Sequence, residues 1–357
     1  MSVGSPHEQL SPVRIAVVGA GAIGRKHLAL VEASTACTLA AIVDPSPAAG
    51  ELARAHHLPW FRTLTELLAS DRPAGAIVAT PNTLHVDNAL ECIAAGVAVL
   101  VEKPISHSVR EAEKLCHAVD STGARVLIGH HRAHSPTLAK ARDVIREGRL
   151  GRLVAATGTA LFHKPERYFA DAPWRRQLGG GPILINLIHD IGNLRSLCGN
   201  IVAVQAFGSN ATRGFDVEDT AAIALRFASG ALGTLLLSDC AASARSWEQT
   251  SKENKDYAAY DDEDCYLIAG TLGSLAIPTM RLKTYPDHDR CSWFEPFEAS
   301  SVAVDRRDPL ALQLEHFCAL TRGEVAPLVS ARDGLLNLRV VEAIAQAARE
   351  GVIVEVT

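Results

Sequence analysis

From residue 13 to residue 129, short apolar runs alternate with segments whose apolar residues recur every three or four positions. The runs at 13–18, 39–43, 75–79, 97–101 and 125–128 predict strands, and the run at 75–79 is apolar throughout, as in a strand buried on both faces. The segments at 22–33, 47–56, 64–70, 85–95 and 109–121 predict helices. Local chemistry marks their ends. Pro47 suits a first helical turn, Thr63 an N-cap, and Gly96 the residue after a helix. Ser108 and Glu111 have the spacing of a capping box. Strands separated by helices in this rhythm form a parallel, doubly wound sheet.

After about residue 130 the pattern changes. Ser135-Pro136 opens a helix ending near Gly148, 153–162 reads as a strand, and Gly179-Gly180-Gly181 precedes a helix over 183–198. Strands follow at 202–208, 221–227 and 231–238, the last two joined by an Ala228-Ser229-Gly230 turn, with shorter ones at 265–269 and 274–277. Residues 243–264 are polar, acidic and aromatic and read as an ordered loop or flap. Helices over 309–322 and 331–349 close the chain. The fold class is therefore α/β. A loose tail (1–12) precedes a doubly wound domain (13–130), and an α+β domain (131–357) carries a large, mostly antiparallel open sheet. One face of such a sheet is left for another subunit to cover.

Composition removes several function classes. The net charge is −5 with no basic run, which argues against nucleic acid as a partner. The eight cysteines form no CxxC pair and read as reduced thiols of a cytoplasmic protein. The first residues lack the apolar core of a signal peptide. The apolar stretch 183–197 is interrupted by Asn186, His189, Asp190, Asn193 and Arg195, so no membrane span is expected.

The chemistry is expected where the parallel strands end, because ligands of doubly wound sheets bind there. The first strand runs into Gly19-Ala20-Gly21-Ala22-Ile23-Gly24. Gly19 suits the tight bend, Gly21 lacks the Cβ that would block a pyrophosphate, and Gly24 lets helix and strand pack closely. The backbone N–H groups around Ala22 and Ile23 would then receive the phosphates. Asp44 closes the next strand, twenty residues past Gly24. Its carboxylate can accept both hydroxyls of an adenosine ribose and would repel a 2′-phosphate, and no Lys or Arg follows within 45–50, so NAD is favoured over NADP.

The loop Thr80-Pro81-Asn82-Thr83-Leu84-His85 would lie along the cofactor, with Asn82 or Thr83 free to cap the following helix as well. Glu102-Lys103-Pro104 follows the fifth strand. A lysine at that edge, desolvated and beside a cationic nicotinamide, suits proton transfer or stabilisation of an alkoxide. Pro104 could aim it, through a cis bond if one forms.

In the second domain, Asn186 and His189 share one face of the expected helix, and His189 can exchange a proton near neutral pH. Asp190 points from another face, toward the surface or a domain boundary. His130, His131 and His134 cluster at a strand end without the spacing of a metal site, and no metal is expected. Trp174-Arg175-Arg176 could cover a polyol or carboxylate, with Arg175 binding it bidentately.

Taken together, G-A-G-A-I-G-R-K-H at 19–27, A-T-P-N-T-L-H at 79–85, E-K-P at 102–104, the turn at 129–136, G-G-G-P-I-L-I-N-L-I-H at 179–189 and V-E-D-T-A-A-I-A-L-R-F-A-S-G-A-L-G at 217–233 resemble the glucose–fructose oxidoreductase / inositol dehydrogenase / MocA (Gfo/Idh/MocA) family. The resemblance covers the chain from residue 13. It implies an N-terminal Rossmann domain, a C-terminal domain whose sheet mediates dimers or tetramers, and a nicotinamide cofactor. It also implies hydride transfer at a secondary alcohol or ketone of a sugar, polyol or related cyclic compound.

Lys103 matches the family's lysine at the reacting hydroxyl, and His189 the histidine that many members use as acid/base. Either could be the proton acceptor. Thr80, Pro81, Asn82, His85 and Glu102 fall on the cofactor side, and His131, Trp174, Arg175 and Asn186 on the substrate side. The chain departs from many members in carrying Ile185 four residues before the histidine, and Gly192 three after it, where they carry Asp. Asn186 is then placed to supply a hydrogen bond instead of a carboxylate. Two rival readings share the scaffold: a glycoside hydrolase that uses NAD transiently, and a non-catalytic sugar or NAD sensor.

Overall fold

The computed structural model describes residues 11–357; the expected N-terminal tail lies almost wholly outside the described residues. The chain divides into two compact units. The first takes in the chain up to Ser106, Arg110–Gly129 and Gln313–Ala331. The second takes in His107–Val109, His130–Leu312 and Arg332–Thr357.

The first unit is built from β1 (Val13–Val18), α1 (Ala22–Ala33), β2 (Cys37–Val43), α2 (Pro47–Ala55), β3 (Trp60–Phe61), α3 (Leu64–Ser70), β4 (Gly75–Val78), α4 (His85–Ala94), β5 (Ala98–Glu102), α5 (Val109–Thr122) and β6 (Val126–Gly129). Its strands form one parallel sheet in the order β3-β2-β1-β4-β5-β6, the Rossmann arrangement. β4 and β5 are buried at every position, as their unbroken apolar runs require. Thr63 caps α3 in a complete capping box with Glu66.

The second unit contains α6 (Pro136–Arg146), β7 (Leu153–Leu161), α7 (Glu166–Ala170), α8 (Pro182–Ile185), α9 (Leu187–Cys198), β8 (Ile201–Ser209), β9 (Thr220–Phe227), β10 (Leu232–Ser238) and α10 (Trp247–Thr250). It continues with β11 (Tyr266–Gly270), β12 (Gly273–Ile277), β13 (Arg281–Thr284), β14 (Glu298–Ser301), α12 (Ala331–Glu350) and β15 (Val354–Glu355), while α11 (Pro309–Arg322) begins in this unit and from Gln313 onward belongs to the first. Its sheet runs β14-β13-β12-β11-β7-β10-β9-β8-β15, and among its pairings only β7 with β10 is parallel. One sheet face packs on α6, α9 and α12 through Leu138, Ile191, Leu194, Ile223, Leu235, Ile268 and Ile344, all nearly inaccessible. Alternation along β9, and along β10 up to Leu237, turns every second residue to the other face.

The structure departs from a simple division at residue 130. Gln313–Ala331 groups with the first unit, where Leu314, Phe317, Cys318 and Leu320 join Val13, Ile15, Ile77 and Leu100 in one apolar cluster. Gly75 leaves room for this return: a Cβ there would lie 3.1 Å from the Phe317 ring. The expected helix over 183–198 is also broken. Asn186, at φ −111° and ψ −56°, separates α8 from α9 and occupies the N-cap of α9. No helix of the described residues is long and apolar enough to cross a membrane.

Candidate functional site

The first unit's candidate site is the β1–α1 turn with the loops that follow β2, β4 and β5. Gly19 sits at φ +96°, and a Cβ there would come within 2.6 Å of the Ala79 carbonyl oxygen, so the turn lies directly against the end of β4. A Cβ on Gly24 would meet the Gly19 carbonyl oxygen at 1.9 Å. Gly21 is different: nothing lies within 4 Å of where its Cβ would be. It is the N-cap of α1, makes no side-chain cap bond, and no acidic residue occupies the first turn. The helix therefore opens with unused backbone N–H groups and a positive dipole end onto open space, which fits a dinucleotide's pyrophosphate.

Asp44 follows β2. Its Oδ2 accepts the Ala20 N–H at 2.8 Å and its Oδ1 the Ser46 N–H at 2.8 Å. Burial alone would raise its pKa, but these N–H groups, the Ser46 hydroxyl and the Arg25 charge outweigh it and hold the carboxyl below the usual range. A fixed, ionised carboxylate thus stands beside the phosphate turn. The Trp60 indole N–H donates to the Asp44 carbonyl at 2.9 Å.

Two buried histidines hold the segment after β5. His27 Nε2, from α1, pairs with Glu102 Oε1 at 2.8 Å, while Glu102 Oε2 accepts the Lys103 N–H at 3.1 Å. His85 places Nδ1 2.8 Å from the Pro104 carbonyl and Nε2 2.9 Å from the Thr80 carbonyl, which ties the β4 and β5 loops together. Burial holds His85 below its ordinary pKa against the pull of these carbonyls, and the charge of Lys103 adds to the lowering. Thr80 Oγ1 accepts from Asn88, and Pro81 precedes the single 3-10 turn Asn82–Leu84. Lys103 is half-buried between these anchors, and the Lys103–Pro104 bond is cis.

The second unit's candidate site gathers around His189, which is 6% exposed. The His131 ring stands edge-on to it at 4.8 Å between centroids, and His130 at 5.7 Å. Asp190, expected at the surface or a domain boundary, is buried, at 2% exposure, which overturns the surface alternative. It accepts from Arg132 Nη1 at 3.2 Å and from the Tyr266 hydroxyl. Arg132 also reaches Glu248, Nε to Oε1 at 3.1 Å. Burial raises the Asp190 pKa more than Arg132 and Tyr266 lower it. The residues either side of this ion pair, His131 and His189, are the ones whose rings meet. Gly192 is explained locally: a Cβ there would lie 3.1 Å from the Asn337 amide nitrogen, which itself stands 3.3 Å from His130 Nε2.

Asn186 turns its side chain toward a residue the sequence reading passed over. Lys164, at the end of β7, donates from Nζ to Asn186 Oδ1 at 2.7 Å and is 8% exposed. The signal was present: a lysine followed by proline where an apolar strand stops. Arg175 donates from Nη1 to the Tyr168 carbonyl at 2.6 Å and stacks on the Tyr168 ring at 3.8 Å, while Trp174 is half-exposed beside it. Among the described residues, no group of three His, Cys, Asp or Glu side chains is placed to hold a metal ion.

Comparison with known proteins matches residues 13–130 to a model of an oxidoreductase family with an NAD-binding Rossmann fold, and residues 138–276 to the GFO/IDH/MocA C-terminal domain. The chain is 27% identical over 358 residues to scyllo-inositol 2-dehydrogenase (NAD(+)) of Bacillus subtilis, a match spanning 96% of each chain. It is 29% identical over 186 residues to the rhizopine catabolism protein MocA of Rhizobium meliloti, where the match takes in only 57% of that relative and 52% of this chain. Among solved structures, the WlbA dehydrogenase of Bordetella pertussis, in complex with NADH and UDP-GlcNAcA, superposes with a TM-score of 0.77. That match covers 97% of this chain and 99% of the other at 24% identity, a likeness of fold.

Proposed function

Because the chain belongs to the Gfo/Idh/MocA oxidoreductase family, we propose that it catalyses NAD-dependent hydride transfer at a secondary alcohol or ketone of a sugar-like or cyclic polyol compound. The observation that carries the reading lies within one unit. The phosphate-ready turn at Gly21, the ionised Asp44 and the histidine-anchored Lys103 all stand at the carboxyl ends of one parallel sheet.

Gly19, Gly21, Ala22, Ile23 and Gly24 would hold the pyrophosphate and Asp44 the ribose hydroxyls, which favours NAD over NADP. Thr80, Pro81, Asn82, His85 and Glu102 would shape the wall beside them. When bound, the nicotinamide supplies the hydride acceptor. The chain's own task is to take the hydroxyl proton and steady the oxygen while negative charge grows on it. His189 fits the first role and Lys103 the second, or the two exchange. Asn186, His131, Trp174 and Arg175 would orient the substrate.

The test is Lys103→Met, with His189→Gln beside it. Each is expected to lower turnover by roughly 10²–10⁴-fold while NADH still binds, as removal of a general acid–base group does. Near-full turnover in Lys103→Met would end the assignment. Net NADH formed from free alcohols separates this reading from a hydrolase that recycles its NAD.

The outer face of the second unit's sheet supports association with a second copy of the chain. Phe207, Ala222, Leu236 and Thr159 align as one row across β8, β9, β10 and β7, and Phe207 is 74% exposed. Leu232 and Leu267 add further exposed apolar surface on this sheet, more than a face left to water carries. Sedimentation showing only monomer at micromolar concentration would remove this part of the reading.

A further inference from the structure

Four cationic side chains converge in the second unit around Tyr168 and Phe215. Lys164 is buried; its Nζ lies 4.7 Å from the Tyr168 ring centroid and 3.5 Å from Asp239 Oδ2, besides its bond to Asn186. Arg175 stacks on the same ring at 3.8 Å, and Arg176 lies 5.1 Å from the Phe215 ring. Arg213 is the fourth, and it already occupies Asp239 through Nε at 2.8 Å and reaches Glu166 at 3.2 Å. Of the other carboxylates here, Glu218 spends its Oε1 on the Ile183 N–H at 2.8 Å, and Asp219 its Oδ2 on the Thr212 and Arg213 N–H groups, each at 2.9 Å.

Arg175 and Arg176 have no carboxylate partner among the described residues, and the Nε of each is buried without a hydrogen-bond acceptor. Desolvated cations lacking a counter-charge are costly to hold. Aromatic faces that fix a guanidinium plane prepare it for bidentate binding of an anion. A neutral polyol could accept some of these hydrogen bonds but would leave the charge uncompensated.

We infer that the compound acted on carries an anionic substituent, a carboxylate or a phosphate ester, recognised by Lys164, Arg175 and Arg176. This rests on the oxidoreductase reading above. Asn186 links the anion subsite to the acid–base end, since it receives Lys164 and its carbonyl accepts the His189 N–H at 3.1 Å. The chain thus sets a cation beside the position where many relatives carry an aspartate, and the sign of the preferred substrate charge follows.

The experiment uses the full chain with NADH bound. Calorimetric titrations compare a panel of aldonates, uronates and sugar phosphates with their neutral parent sugars, and turnover is followed on the same panel with NAD. At least one anion is expected to bind about tenfold or more tightly than its neutral parent, the range of charge-assisted hydrogen bonds. Lys164→Gln and Arg176→Gln should each reduce that ratio by about tenfold, with partial recovery in Lys164→Arg. The carboxylate and phosphate arms show which anion is preferred. If no anion outbinds its neutral parent, or if both Gln variants keep the wild-type ratio, the inference is overturned. Selective anion binding without NADH formation on any alcohol would instead count against the oxidoreductase reading and leave the subsite standing.

Discussion

In the first unit the atoms proposed to meet a ligand belong mostly to the backbone; in the second they belong to side chains. The Gly19–Gly24 turn works by what is missing, since its Cβ positions are either forbidden or open and its helix starts with unused N–H groups. Around His189 the proposed site is instead a set of charges and rings brought from distant parts of the sequence: Arg132, Asp190, Tyr266, Lys164 and the histidines at 130 and 131. A backbone site is rigid as soon as the fold forms. A side-chain site must first meet the cost of burying its charges, and it can change specificity without changing the scaffold.

The largest effect expected from this difference is at Arg132. Its guanidinium is the sole cation paired with buried Asp190 among the described residues, and it also serves Glu248. Burial lowers the pKa of Arg132, but the two carboxylates outweigh this and raise it, so the charged form is held firmly. Arg132→Met would leave buried Asp190 uncompensated and should cost about 3–5 kcal/mol of stability, measured by urea unfolding. A loss below about 1 kcal/mol would place this network among surface pairs and erase the contrast.

That contrast also explains what the sequence made legible. Strand β1 and helix α1 fall where the apolar pattern put them, and Thr63 caps α3, because propensity, turn chemistry and burial agree within a few consecutive residues. The glycine motif is readable for the same reason. Asp190 was not, since its partners Arg132 and Tyr266 lie 58 and 76 residues away in the chain, and no local pattern reports a pairing across that span. The break at Asn186 was not legible because the apolar residues keep helical spacing on both sides of it. Strand β14, Glu-Ala-Ser-Ser, is exposed at every position and carries no alternation to detect. The return of Phe317 and its neighbours to the first unit shows only in three dimensions, because an apolar helix face does not name the core it joins.

The two units should also answer pH in opposite senses. In the second, burial pushes the Glu253 carboxyl up to about 7, although Ser135, Thr137 and the Trp247 indole all donate to it. A carboxyl raised above its unfolded value binds its proton more tightly in the native state. Its contribution is present at low pH and is lost as pH rises through about 7. Asp44, held low in the first unit, contributes above the ordinary carboxylate range and loses that contribution as pH falls. Glu253→Gln should flatten the decline in unfolding free energy between about pH 5 and 7, on the order of 2 kcal/mol by linkage. An unchanged slope in urea titrations across that range would mean that the three donors keep Glu253 ionised.

The smallest expected change in stability is the sharpest test of the backbone site. Gly21 has φ −69°, which any residue adopts, and open space where a Cβ would go, so Gly21→Ala should alter folding stability by no more than about 0.5 kcal/mol. Gly24→Ala, whose Cβ would stand 1.9 Å from the Gly19 carbonyl oxygen, forces the turn apart and should be clearly destabilising. The two alanines differ in what they obstruct: at Gly24 the protein itself, at Gly21 only a ligand. Gly21→Ala should therefore weaken NADH binding by about tenfold or more, roughly 1.4 kcal/mol, in a protein that unfolds like the wild type. If NADH bound Gly21→Ala as tightly as the wild type, the open space at Gly21 would not be where the pyrophosphate lies, and α1 would lose its part in holding the cofactor.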